Sequence, residues 1–106
     1  MPKYLIQASY TSEGVKGLLK DGGSKRRAAA AEAIKGLGGT LEVFYYAFGD
    51  TDVFAIADAP DNISAAAVSL AVTASGAVQA KITVLLTPED MDQVAKKTVQ
   101  YRPPGA

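Results

Sequence analysis

The sequence predicts an α+β domain with the element order β-α-β-β-α-β and one further helix near its C-terminal end. Short runs rich in aromatic and β-branched residues, partly alternating, lie at 3–10, 40–48, 52–58 and 77–86. A Gly-Asp-Thr turn joins the middle two as a hairpin. Alanine-rich stretches separate the other strands, bounded by hydroxyl or carboxylate caps and by glycine.

The first run, KYLIQASY, reads as a strand. Thr11 or Ser12 then caps a helix, because a side-chain oxygen accepts from the free amides of a first turn. Val15, Leu18 and Leu19 have helical spacing, and Asp21-Gly22-Gly23-Ser24 interrupts the helix, since paired glycines disfavour its continuation. Ser24 opens a second segment in which Ala30, Ala33, Ile34 and Leu37 form one apolar stripe, ended by Gly38-Gly39.

Residues 40–48 and 52–58 form the hairpin, with Gly49 and Asp50 at the reversal. Pro60 stops the second of these strands, and Asp61 or Asn62 caps a helix that runs to about Ser75. Gly76 ends it and 77–86 is the last strand. Thr87-Pro88-Glu89-Asp90 has the chemistry of a capping box with proline at the first helical position, so 88–97 is a short helix. Residues 1–98 form the domain, and 99–106, with Pro103, Pro104 and Gly105, are a Pro-rich tail. The order is that of the split βαβ, ferredoxin-like pattern, with two helices covering one face of a four-stranded antiparallel sheet.

Composition excludes several functions. Eleven basic and eleven acidic residues cancel over 106 residues, which leaves no net field to gather nucleic acid or an anionic membrane. VFYYAF carries aromatics but none of the basic neighbours of an RNA-binding sheet, so nucleic-acid binding is not expected. There is no cysteine and no histidine. Thiolate and histidine metal sites and a Ser-His-Asp triad are therefore excluded, and a reducing, cytoplasmic setting fits. The N-terminal run has no signal-peptide pattern, and the uncharged stretch 62–80 is too polar and too rich in alanine to span a membrane.

Strand alternation assigns faces. Tyr4, Ile6 and Ala8, with Val78, Ala80, Ile82 and Val84, suit the helices, as do Leu41, Val43 and Tyr45. That leaves Leu5, Gln7, Ser9, Lys81, Thr83 and Leu85 on the open side, together with Glu42, Phe44, Tyr46 and Phe48. Large rings on an uncovered face call for a partner. The expectation is a homodimer or higher homo-oligomer through the open face, enclosing a partly polar cavity. The alternative is that the C-terminal helix and tail fold over that face.

Within such a cavity, Gln7, Ser9, Tyr46, Asp52, Lys81 and Thr83 are the candidate ligand-binding residues, and Asp52, Tyr46 and Lys81 the candidate catalytic ones. Each has a plainer explanation. Asp50 and Asp52 suit turn chemistry, a strand tyrosine usually packs, and Lys81 suits a salt bridge across an interface to Glu42 or Asp52. Two carboxylates with no further oxygen ligands make a weak metal signal, so no metal or cofactor is expected. Lys25, Arg26 and Arg27 stand at a helix start, where cations oppose the helix dipole. Arg26 and Arg27 are candidate anion ligands there, and a solvated charged face is the alternative.

Three ordered blocks, YTSEGVKGL, GGTLEVFYYAFGDTDVFAIADAPD and ASGAVQAKITVLLTPEDM, resemble the GYD domain family over residues 3–92. Gly49 and Asp52 fit its Gly-x-Tyr-Asp turn, while Thr51 stands where tyrosine is expected. The resemblance implies a ferredoxin-like fold similar to the dimeric α+β barrel group, and it implies no reaction. Three functions stay open: a homo-oligomer binding a small molecule in a sheet-lined cavity, a cofactor-free enzyme of the dimeric α+β barrel kind, and a regulatory trimer binding anions.

Overall fold

A computed structural model describes residues 1–106. Its elements are β1 (Lys3–Tyr10), α1 (Ser12–Asp21), α2 (Gly23–Gly36), β2 (Thr40–Tyr46), β3 (Val53–Asp58), α3 (Asn62–Ala74), β4 (Val78–Leu85) and α4 (Pro88–Ala95). The four strands form one antiparallel sheet in the order β2-β3-β1-β4. This is the ferredoxin-like α+β architecture, with β1 and β3 at the centre.

The caps are those the residue types demand. The Thr11 hydroxyl accepts from the Gly14 amide at 3.2 Å, and the Asp61 carboxylate accepts from Ser64 at 2.8 Å. Thr87 and Asp90 close a reciprocal capping box. Gly22, at φ 85°, separates α1 from α2 in a conformation that a side chain would resist. No helix is long and apolar enough to cross a membrane.

The core lies on the helix side of the sheet, where Tyr4, Ala8, Val53, Ala55 and Ala57 are buried. The Tyr4 hydroxyl, at the end of this layer, donates to Asn62 Oδ1 at 2.6 Å. α2 packs over β2 and α3 over β4, and the two helices make no substantial contact with each other.

One part of the expected face assignment is overturned. β2 bulges between Leu41 and Val43, with Glu42 as the extra residue. Beyond it Val43 pairs with Ile56 and Tyr45 with Phe54, so these lie on the open side. Phe44 pairs with Ala55 and Tyr46 with Val53, which turns both rings toward the helices. An inserted residue shifts register by one, and with a period of two every later side chain changes face. β2 also ends at Tyr46, short of Phe48, which lies fully exposed in the loop.

The C-terminal segment does not roof the sheet. Residues 88–106 are all exposed, and α4 makes no substantial contact with any other element. The radius of gyration is 16.8 Å and the longest extent 56 Å, against about 13 Å of gyration for a compact chain of this length. α4 and the tail stand out from the body as an arm.

Candidate functional site

Two surfaces of the sheet carry candidate chemistry. Each row of the open face crosses it from β2 to β4. One row is Val43, Ile56, Leu5 and Thr83, and the next is Tyr45, Phe54, Gln7 and Lys81. The half toward β2 is apolar; the half toward β4 is polar, and Ser9 and Gln79 extend it. Of the expected ligand-binding set, Gln7, Ser9 and Lys81 line one shallow cleft with Thr51 and Gln79, and Thr83 lies on the same side, opposite Leu5. Phe54 is 39 % and Tyr45 69 % exposed, with no element over them.

Asp52 belongs to the frame of this end of the sheet. Its carboxylate accepts from the Tyr10 amide at 2.8 Å, its amide donates to the Ala8 carbonyl at 2.8 Å, and its carbonyl accepts from Ala47 at 2.8 Å. The Ser9 hydroxyl donates to the Asp50 carbonyl at 2.7 Å. Tethering to β1, rather than the local turn bonds expected of it, accounts for Asp52, and the three candidate catalytic groups do not converge: Lys81 faces the open side and Tyr46 the helix side. Within one subunit Lys81 on β4 and Glu42 on β2 occupy opposite edges of the sheet, so they can meet only across copies. Glu42 and Asp58 instead flank Lys3, at 2.6 and 3.0 Å. Those two hydrogen bonds raise the Lys3 ammonium above its ordinary value.

On the helix side a cavity of about 180 Å³ lies between the sheet and α2 and α3. Ala8, Ala55 and Ala80 form its floor and Ala29, Ala30 and Ala33 its wall. Alanine on both layers leaves the space between them unfilled, and the separation of α2 from α3 keeps it so. Ala29 and Ala33 of that wall are exposed, so the cavity is open to solvent on the α2 side.

Arg26 contributes the one charged group of that lining, with Tyr10 and Tyr46 beside it. Burial pushes the Tyr10 phenol up, reinforced by the Tyr46 hydroxyl and opposed by Arg26. The Tyr46 hydroxyl donates to the Gly23 carbonyl at 2.9 Å, and its ring meets Phe44 edge-on at 5.3 Å between centroids. Arg27 lies outside, in a groove with Glu42 and Tyr45, so the two arginines do not share one anion site. Sequence reasoning missed this cavity, although its signal was present in the alanines of 28–33 and of the central strands.

No group of carboxylates is placed to hold a metal ion. Comparison with curated proteins and with solved structures finds no match. The model of the GYD domain family matches residues 4–95, which takes in every element from β1 to α4 and the Gly49–Asp52 turn. On that match, covering most of the sequence, the chain belongs to the GYD domain family.

Proposed function

We propose that this protein is a homo-oligomer whose copies meet over the open face of the sheet and enclose a small-molecule site there. The observation that carries this reading is the apolar half of that face, where Leu5, Val43, Tyr45, Phe54 and Ile56 adjoin one another with no element of their own chain above them. A continuous patch of that kind costs hydrophobic free energy when wet, and a second copy is the surface of matching shape that is always present. The arm adds to the argument, because Met91, Val94, Val99 and Tyr101 are exposed on it and have nothing of their own subunit to cover them.

Between apposed sheets the polar half remains inside the assembly. Gln7, Thr83 and Lys81 then offer an amide, a hydroxyl and a cation to a ligand with hydrogen-bond acceptors and at most a single negative charge, while Ser9, whose O–H is held by the Asp50 carbonyl, can only accept.

Sedimentation velocity and native mass spectrometry at micromolar concentration test the assembly. A dimer or higher species is expected for the natural chain, with loss of association in Phe54→Glu. A monomer at that concentration overturns the reading. So does a Phe54→Glu variant that associates as the natural chain does.

A further inference from the structure

The open face leaves unexplained the cavity on the opposite side of the sheet. Its wall is apolar apart from Arg26 and Ser69, and it lies at the centre of the domain. Water gains little there, because an occupant water needs two or more polar partners and the floor has only methyl groups and rings. An apolar molecule gives up no hydrogen bond by entering. A cavity near 150 Å³ accommodates about one benzene ring, and the present one is slightly larger at about 180 Å³.

The charge in the wall narrows the class. The nearest carboxylate to Arg26 is Asp21, 3.9 Å from its Nη1, too long for a hydrogen bond, and both side chains are partly exposed. The guanidinium therefore keeps most of its donors for another acceptor. Tyr10 stands at the same end of the cavity as a second donor, and its phenol stays protonated well above neutral pH. A planar fork beside a phenol suits a carboxylate, which accepts two parallel N–H bonds from arginine and one O–H bond from tyrosine.

We infer that the cavity between the sheet and helices α2 and α3 binds a small aryl carboxylic acid, its ring among the alanines and its carboxylate on Arg26 and Tyr10. This site is separate from the one between sheets. It needs no second copy, since all its lining comes from a single subunit. The position of Arg26 at a helix start, unfavourable by its dipole, acquires a reason, because the bound carboxylate compensates it.

The test uses the full-length chain and two probes of one shape, phenylacetate and the uncharged phenylacetamide, titrated by calorimetry and by amide chemical shifts. Saturable binding of phenylacetate is expected, with shifts at Ala30, Ala33, Ala55 and Val72. Arg26→Gln is expected to weaken phenylacetate tenfold or more and phenylacetamide less than twofold. Ala33→Leu and, separately, Ser69→Leu fill the cavity and are expected to abolish both; amide spectra establish that each variant is folded, and one folded variant suffices. Absence of saturable phenylacetate binding to the natural chain overturns the inference. So does equal binding to Arg26→Gln, or undiminished binding to a folded filled variant. Phe54→Glu leaves this site intact, so binding of phenylacetate to that variant separates it from the assembly.

Discussion

The carboxylate of Asp52 accepts a hydrogen bond from the backbone amide of Tyr10 at 2.8 Å, tying the hairpin loop to the end of the central strand. Asp52 is one of the two residues that fit the family's turn signature, and its geometry makes it a brace. Asp52→Ala leaves the Tyr10 amide without its partner and is expected to lower stability by about 1–3 kcal/mol. Asp52→Asn retains an acceptor and is expected to cost less. Urea unfolding followed by circular dichroism measures both, and equal stability of all three chains contradicts the assignment.

Glycines of α1 are expected to respond in opposite directions. A Cβ on Gly14 would run into the Ala77 carbonyl oxygen, where helix and β4 approach closely. Gly14→Ala is expected to destabilise by about 1–3 kcal/mol or to prevent folding. Gly17 has open space around it, and Gly17→Ala is expected to stabilise by about 0.5–1 kcal/mol through helix propensity. Thermal denaturation of the pair decides.

Asp61 governs the acid limit of α3. Its hydrogen bonds from the Ser64 amide and side chain hold its carboxyl below the ordinary value of 3.8. A carboxyl depressed in the folded state favours folding above its unfolded value, and that contribution is lost as pH falls through the lower folded one. Helicity of the natural chain is therefore expected to fall more steeply below pH 3.8 than that of Asp61→Asn, which caps without a titrating proton. Identical acid titrations of the two chains by circular dichroism refute this.

At the alkaline limit Lys3 has the converse role. Glu42 and Asp58 raise it, so its contribution is complete below the ordinary lysine value of 10.5 and declines as pH rises through the higher folded one. The ammonium is exposed and screened by salt, and the effect is expected to shrink at high ionic strength. Stability measured from pH 9 upward in low and high salt, with Lys3→Met as the control, tests it. A natural chain with no alkaline loss beyond that of Lys3→Met contradicts it.

The arm makes its contacts, on the proposed reading, only with another copy. Removing residues 88–106 is expected to leave the sheet domain folded, because no other element makes substantial contact with α4 and the segment is exposed throughout, and to weaken self-association in sedimentation. Loss of the folded state on truncation would show that the segment serves its own subunit.

Much of this protein was legible one segment at a time. The element order, the Thr11, Asp61 and Thr87 caps, the break at Gly22-Gly23 and the faces of β1 and β4 follow from short-range chemistry, because a hydroxyl at a first turn or an alternating pair of residues acts over a few positions. The candidate residues Gln7, Ser9, Lys81 and Thr83 share a face for the same reason.

Tertiary structure decided what depends on distant partners. The bulge at Glu42 is a mismatch between β2 and β3, and no pattern within β2 announces it; Tyr46 and Phe44 change sides as a result. The cavity depends on where α2 and α3 come to rest on the sheet, which is set by their packing on β2 and β4 at opposite edges. Side-chain periodicity is local, whereas register and interlayer spacing belong to pairs of segments far apart in the chain.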